Sequence, residues 1–218
     1  MALATWYRGD PIPHLTELEG FEAGIATDAE ELALINGLPI GAVQARWAAG
    51  SVAYVARLFG RPVAYGWVAR GLAHIGELGL SFHVPEDGRY LWGFETLRHC
   101  RGRGIYPRLL QAIIAAEPAG RFWIIHAPEN LPSGVGIDRA GFTNAGELSL
   151  RPNGRPALRA AGPIARILDA VDLLGVPLVA SDRSPCWACG QDPAGCPCAA
   201  VCVDGAEACA CSKTLSVA

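Results

Sequence analysis

The 218-residue chain contains a single methionine and little charge: Asp, Glu, Lys and Arg together make up 18% of it. Basic side chains number 18 and acidic ones 21, leaving a formal charge of −3. So small and slightly acidic a balance supplies no overall basic field to draw in nucleic acid or an anionic membrane. Long apolar runs are missing too. The run at 109–116 is already interrupted by Gln111, well short of the ~20 residues a spanning helix needs. The opening residues, MALATWYRGD, lack a basic segment followed by an apolar one, so no secretory signal is expected. A cytoplasmic protein without nucleic-acid or membrane partners is the expectation. Cysteine is nearly absent from most of the chain. Of 8 cysteines only Cys100 precedes residue 186.

Apolar content is sufficient for a packed domain. Hydrophobic residues form 51% of the chain, which excludes disorder and suits one domain with or without a small appendage. Residues 1–26, with Pro11, Pro13, Gly20 and Gly24, show no period and read as irregular. The run DAEELALI has a cap at Thr27 or Asp28 and acids in its first turn, as a helix start should. A second helix is expected over 42–49, closed by Gly50. SVAYVARLFGRPVAYGWVAR then gives two alternating runs around Phe59-Gly60, the pattern of a hairpin. One strand is expected over 74–84 and another over 90–97. Residues 105–116 place Ile105, Leu109, Ala112, Ile113 and Ala116 on one helical face. RFWIIHA reads as a strand buried on both sides. A helix over 130–140, stopped by Gly141, and a strand over 147–150 follow. This order predicts an α/β (mixed α+β) domain over 1–150. Beyond it are expected a connector over 151–185, with an amphipathic helix at 159–174, and a tail over 186–218.

The segment Thr96-Leu97-Arg98-His99-Cys100-Arg101-Gly102-Arg103-Gly104-Ile105-Tyr106-Pro107 carries the most chemistry. A strand ends, glycines permit unusual backbone angles, and a helix begins with Pro107 in its first turn. Such a corner turns unpaired N–H groups outward at the positive end of a helix, which suits a diphosphate. It also reads as a tight turn with solvated arginines. It is neither Gly-x-Gly-x-x-Gly nor a Walker-type Gly-Lys-Ser/Thr, so the usual dinucleotide and P-loop readings do not apply.

With its downstream partners, this segment resembles the GNAT superfamily of N-acetyltransferases, whose diphosphate motif is Arg/Gln-x-x-Gly-x-Gly/Ala. The stretch 101–106 matches at Arg101 and Gly104 and departs at Tyr106. Asn130, Ser133 and Gly141-Phe142 stand where the family has an Asn that often contacts the cofactor, a small residue, and the end of a helix. The resemblance covers residues 27–150 and is strongest over 90–142. It implies a mostly antiparallel central sheet flanked by helices, splayed between the strand ending near Thr96 and the strand at 122–127. It implies acetyl-CoA as co-substrate, its pantetheine arm along the backbone of Phe94 to Thr96. The diphosphate would rest on Gly102, Arg103, Gly104, Ile105 and Tyr106 beside Arg101, with Asn130 and Ser133 opposite. The implied reaction is N-acetylation of a small-molecule amine or peptide by direct attack on the thioester.

That reaction needs a neutral amine, a polarised carbonyl and a stabilised thiolate. Glu95, beside the expected thioester, is the first candidate base and Glu77 the second. Each also reads as a solvent-facing carboxylate, Glu95 as a partner of Arg98. His126 ends the buried strand and could reach the site, or could be a satisfied core group. Trp67, Trp92 and Trp123 read as core or pocket walls, and Trp6 and Tyr7 as terminus packing or a cover for substrate. The family's acid is often a Tyr where this chain has Ile137. The departures at Tyr106 and Ile137 keep open a second possibility, a non-catalytic CoA-binding or metal-binding regulatory protein on a degenerate core.

The tail reads Cys186-x2-Cys189-x6-Cys196-x-Cys198-x3-Cys202-x6-Cys209-x-Cys211. In a reducing compartment such spacing favours metal or redox chemistry over disulfides. Cys186, Cys189, Cys196 and Cys198 are candidate zinc ligands. An iron–sulfur cluster or a simple thiol-rich tail are the alternatives.

Overall fold

The computed structural model describes residues 1–151 and 153–179. The candidate ligands Cys186, Cys189, Cys196 and Cys198 lie outside the described residues, so the zinc expectation meets no structural test. Among the described residues no cluster of side chains is suited to a metal ion. No described helix is long and apolar enough to cross a membrane.

Along the chain run β1 (Ala2–Tyr7), β2 (Phe21–Ile25), α1 (Ala29–Asn36), α2 (Ile40–Ala48), β3 (Ser51–Leu58), β4 (Arg61–Ala69), β5 (Leu72–Ile75), β6 (Leu80–His83) and β7 (Gly88–Thr96). They are followed by α3 (Ile105–Ala116), β8 (Arg121–His126), α4 (Leu131–Arg139), β9 (Thr143–Leu150), β10 (Pro156–Ala160), α5 (Ile164–Leu174) and β11 (Leu178–Val179). One large sheet has the order β11-β10-β9-β1-β8-β7-β4-β3-β2, and β5 and β6 form a separate hairpin. Pairing is antiparallel except at β7–β8 and β10–β11. The mixed α/β class and the mostly antiparallel sheet flanked by helices agree with expectation.

Local chemistry explains most boundaries. Asp28 caps α1, accepting from the amides of Glu30 and Glu31. The β3–β4 hairpin turns on Phe59 and Gly60, both with positive φ, which matches the right-handed twist of the flanking strands. In β8, Phe122, Trp123 and Ile124 are all buried, as a strand covered on both faces requires. One face of the sheet carries α3 and α4, with Leu109, Leu110, Ile113 and Ile137 in the core between. The other face carries α1 and α2 at one end and α5 with the β5–β6 hairpin at the other.

Three expectations are corrected. Residues 1–26 are not irregular throughout: β1 lies between β8 and β9, antiparallel to both, and β2 forms the sheet edge. A central strand buried on both faces and a largely exposed edge strand both lack clean alternation, so neither announces itself. The stretch 74–84 is a hairpin broken by a 3-10 turn at Gly76–Leu78, with Gly79 left-handed. Residues 156–179, expected as connector plus helix, extend the sheet: β10 pairs with β9, α5 packs back on them, and β11 returns parallel to β10.

A buried ionic cluster ties α3 to the sheet. Glu117, immediately after the helix, accepts from Tyr54 Oη at 2.8 Å, Arg89 Nε at 2.6 Å and Arg70 Nη2 at 2.7 Å. Burial pushes the Glu117 carboxyl up, but the hydrogen bonds from Arg70, Arg89 and Tyr54 outweigh it and hold the group below the ordinary carboxylate range.

Candidate active site

Strands β7 and β8 pair in parallel from Gly88–Arg121 to Leu91–Ile124 and no further, although β7 continues to Thr96 and β8 to His126. The cause lies in β7. Tyr65 pairs with Glu95 and Trp67 with Trp92, so Gly93 and Phe94 together face only Gly66. This is a β-bulge, with Gly93 at φ +61, and a bulge bends its strand away from its neighbour. Phe94 then folds over Gly66, where an added Cβ would lie only 2.0 Å from the ring. The expected splay is therefore present, opened by a glycine bulge that alternation alone does not reveal.

At the end of β7 the chain makes a 3-10 turn over Arg98–Cys100 and reaches α3 through two left-handed glycines, Gly102 (φ +78) and Gly104 (φ +67). Gly104 caps α3 without any side-chain hydrogen bond, leaving the first-turn amides available to a ligand. A Cβ on Gly102 would meet nothing within 4 Å, so the cradle is open above the turn. Arg101 donates through Nε to the Thr96 carbonyl at 2.9 Å and lies 3.5 Å from Glu95 Oε1, which latches the corner to the strand. Arg108 donates to the Gly104 carbonyl and to that of Thr16. An open, positively charged corner of free amides suits a diphosphate.

Corner, splay and α4 enclose a groove of about 680 Å³. Of the expected cofactor residues, Phe94, Thr96, Arg101, Gly102, Gly104, Ile105, Tyr106, Asn130 and Ser133 all line it; the exposed Arg103 does not. Asn130 also caps α4 through the Ser133 amide, so its carbonyl oxygen already has a structural task. Glu95 lines the groove as well. Its partner is not Arg98: Tyr65 Oη donates to it at 3.0 Å, with Arg101 on the other side. Burial, followed by the Glu95 hydrogen bond and charge, raises the Tyr65 phenol above its usual range. Glu77 fails its expectation. It sits exposed in the 3-10 turn of the β5–β6 hairpin, not on a sheet strand, and does not line the groove.

His126 is half-buried, with Nδ1 2.9 Å from the Ala127 carbonyl and its ring against Gly134, and it too is absent from the lining. Trp67 and Trp123 are core residues, whereas Trp92 is partly exposed, stacked on Trp67 with Arg46 above both rings. Trp6 packs edge-on against Phe122, and Tyr7 donates to Asp169 on α5; neither is a cover.

Sequence reasoning missed Cys100, Gly136 and Arg139, which also line the groove. Gly136 reads in sequence only as an unfavourable helix residue, yet the Tyr106 ring packs directly against it. A Cβ there would lie 2.4 Å from the Tyr106 ring. Tyr106 crosses the splay from α3, its ring centroid 5.4 Å from that of Phe94 and its hydroxyl 3.5 Å from Ser133 Oγ. Burial pushes its phenol up to about 12, opposed by the Ser133 hydrogen bond. Ile137 is 3% exposed and turned into the core.

A mostly antiparallel sheet thus splays beside an uncapped, glycine-cornered helix start, and the two share one groove. No protein-family model matches this chain, and no curated protein matches it. Solved structures do show similarity. One is a GCN5-related N-acetyltransferase from Kribbella flavida, 18% identical over 66% of this chain and 53% of that one, with a TM-score of 0.44. This chain therefore spans about half the length of that relative. Another is AAC(6')-Ib in complex with ribostamycin and coenzyme A, at 16% identity, 64% and 91% coverage and a TM-score of 0.48. A third is a transcriptional regulator from Bacillus halodurans, at 17% identity, 58% and 95% coverage and a TM-score of 0.43. At such scores the likenesses carry no argument about activity, and the functional case stands on the groove itself.

Proposed function

We propose that this chain is a GNAT-type, acetyl-CoA-dependent N-acetyltransferase acting on a small-molecule or peptide amine. The observation that carries the reading is the coincidence of the β7–β8 splay with the uncapped α3 start in one groove. The α3 amides and Arg101 hold the diphosphate, and the pantetheine arm lies against the unpaired edge of β7 over Phe94 to Thr96. Glu95 takes the proton that the acceptor nitrogen loses. Tyr65 and Arg101 orient its carboxylate. The nitrogen lone pair forms the bond to the acetyl carbon, the carbon–sulfur pair leaves with sulfur, and coenzyme A departs as thiolate.

The test combines a thermal-shift titration with acetyl-CoA and a panel of amines assayed for free thiol. Acetyl-CoA should stabilise the protein, since a ligand bound only by the folded state adds stability by mass action. At least one amine should release coenzyme A, and Glu95→Gln should slow that reaction about 10²-fold, the low end for losing a general base. Absence of any shift removes the cofactor assignment. Binding without turnover of any amine replaces the enzyme with a CoA-binding protein.

A further inference from the structure

Successive residues of β7 serve opposite faces of the sheet. Phe94 packs with the cluster beneath α3, whereas Glu95 meets Tyr65, a member of the cluster beneath α1 and α2. On that second face Trp92 packs against the α1–α2 cluster and also against the one beneath α5 and the β5–β6 hairpin, yet stays partly exposed where the two meet. Arg46, in the last turn of α2, reaches this spot. Its guanidinium carbon lies 4.8 Å from the Trp92 ring centroid and 5.0 Å from that of Trp67. The rings hold the cation in place but offer no oxygen to its five N–H donors. Among the described residues Arg46 has neither a hydrogen-bond acceptor nor a carboxylate within ion-pair distance. It is half-buried, and burial lowers its pKa against the opposing effect of the Tyr65 phenol. A charge so placed is screened less than one at an open surface and attracts an anion more strongly. The Tyr65 hydroxyl donates to Glu95, so a single side chain separates this unpaired cation from the proposed base.

We propose that Arg46 binds a carboxylate on the acceptor, so that the substrate of this chain is an amine that also carries a carboxylate, as amino acids and peptides do. This inference rests on the acetyl-CoA reading above. It gives Arg46 a part in recognition only, since no bond is made or broken at the guanidinium. Stacking on two indoles presets the planar fork. Two parallel N–H···O bonds to a carboxylate then form at a lower ordering cost than a freely rotating side chain would incur. With its carboxylate held at Arg46, the acceptor presents its amine on the sheet face where Tyr65 orients Glu95.

The experiment measures kcat/KM with acetyl-CoA for amino acids and short peptides, each paired with the counterpart whose C-terminal carboxylate is an amide. From wild type to Arg46→Met the acid-to-amide ratio should fall about 10- to 100-fold, the range for hydrogen bonds to a charged group. Comparing that ratio between proteins cancels the different basicity of the two amines. The arm in which it falls, amino acid or peptide, identifies the source of the carboxylate. Arg46→Gln is measured alongside and decides by the same criterion should Arg46→Met not fold. A merely structural arginine would slow acid and amide alike, so an unchanged ratio overturns the inference and leaves the acetyl-CoA reading standing. Turnover confined to amines without a carboxylate does the same. Where coenzyme A binds but no amine turns over, calorimetry of the N-acetylated acids and amides on the coenzyme A complex gives the ratio instead. A difference lost in the variant supports the inference, and equal ratios overturn it. A wild-type protein that binds no coenzyme A overturns both readings.

Discussion

Removing the charge of Glu117 should unlatch α3 from the sheet, and the structure sets the size of the effect. The carboxylate side chain is fully buried, as is most of Arg89, whose own side chain is 8% exposed. Arg70, at 40%, can return to water. Glu117→Gln therefore strands one buried guanidinium rather than two. Breaking a buried pair from one side costs roughly 3–5 kcal/mol, and the glutamine amide oxygen still accepts a bond, so about 3 kcal/mol is expected. For a chain of this size that lowers Tm by roughly 6–12 °C. Urea unfolding under reducing conditions, followed by circular dichroism, measures it. The pH dependence supplies a second check. The Glu117 carboxyl is held below its unfolded value, so its contribution is complete above about pH 4.5 and is lost as pH falls through the folded value. The gap between wild type and Glu117→Gln should narrow over that acid range. Replacing both partners, Glu117→Leu with Arg89→Met, should cost less than the sum of the two single losses, because neither charge is then left alone. A Glu117→Gln variant within about 1 kcal/mol of wild type at pH 7 would refute the reasoning.

The groove makes two further predictions. Gly104→Ala forces a side chain into a left-handed cap and places its Cβ 2.5 Å from Arg108 Nη1; it should cost about 1 kcal/mol of stability and weaken coenzyme A binding several-fold by calorimetry. Gly66→Ala would drive its Cβ into the Phe94 ring, at 2.0 Å. It should destabilise by about 1–3 kcal/mol, as overpacking does, and reduce coenzyme A affinity by pushing Phe94 into the splay. Unchanged melting and affinity in that variant would show that Phe94 is not held by Gly66.

Legibility in the sequence followed burial. The helix at 105–116 was readable to the residue, because half of a 3.6-residue period is apolar and Gly104 and Pro107 mark its start. The glycine corner was readable because positive φ at Gly102 and Gly104 is a local requirement. Strands β1 and β2 were not: one is covered on both faces, and the other has little burial to leave a pattern. The position of Glu77 is illegible for a related reason, since the apolar run around it serves a small hairpin folded on the sheet instead of a strand within it. The bulge leaves no local mark, because Gly93 acquires its meaning only through the register against Gly66.

Sequence alone determined the mixed α/β class of the fold and the glycine corner at residues 101–106, while the expectation that Asn130 and Ser133 join that corner rests on the family resemblance. The class and the corner are written in backbone constraints and short-range periods, which act between residues close in the chain. Tertiary structure decided the rest. It set β1 between β8 and β9, carried the sheet on to residue 179, opened the splay at Gly93, placed Glu77 in a hairpin turn and brought Tyr106 against Gly136 where Ile137 turns away. These outcomes depend on which distant surfaces meet, and contact energies between residues far apart in the chain leave no periodic mark along it.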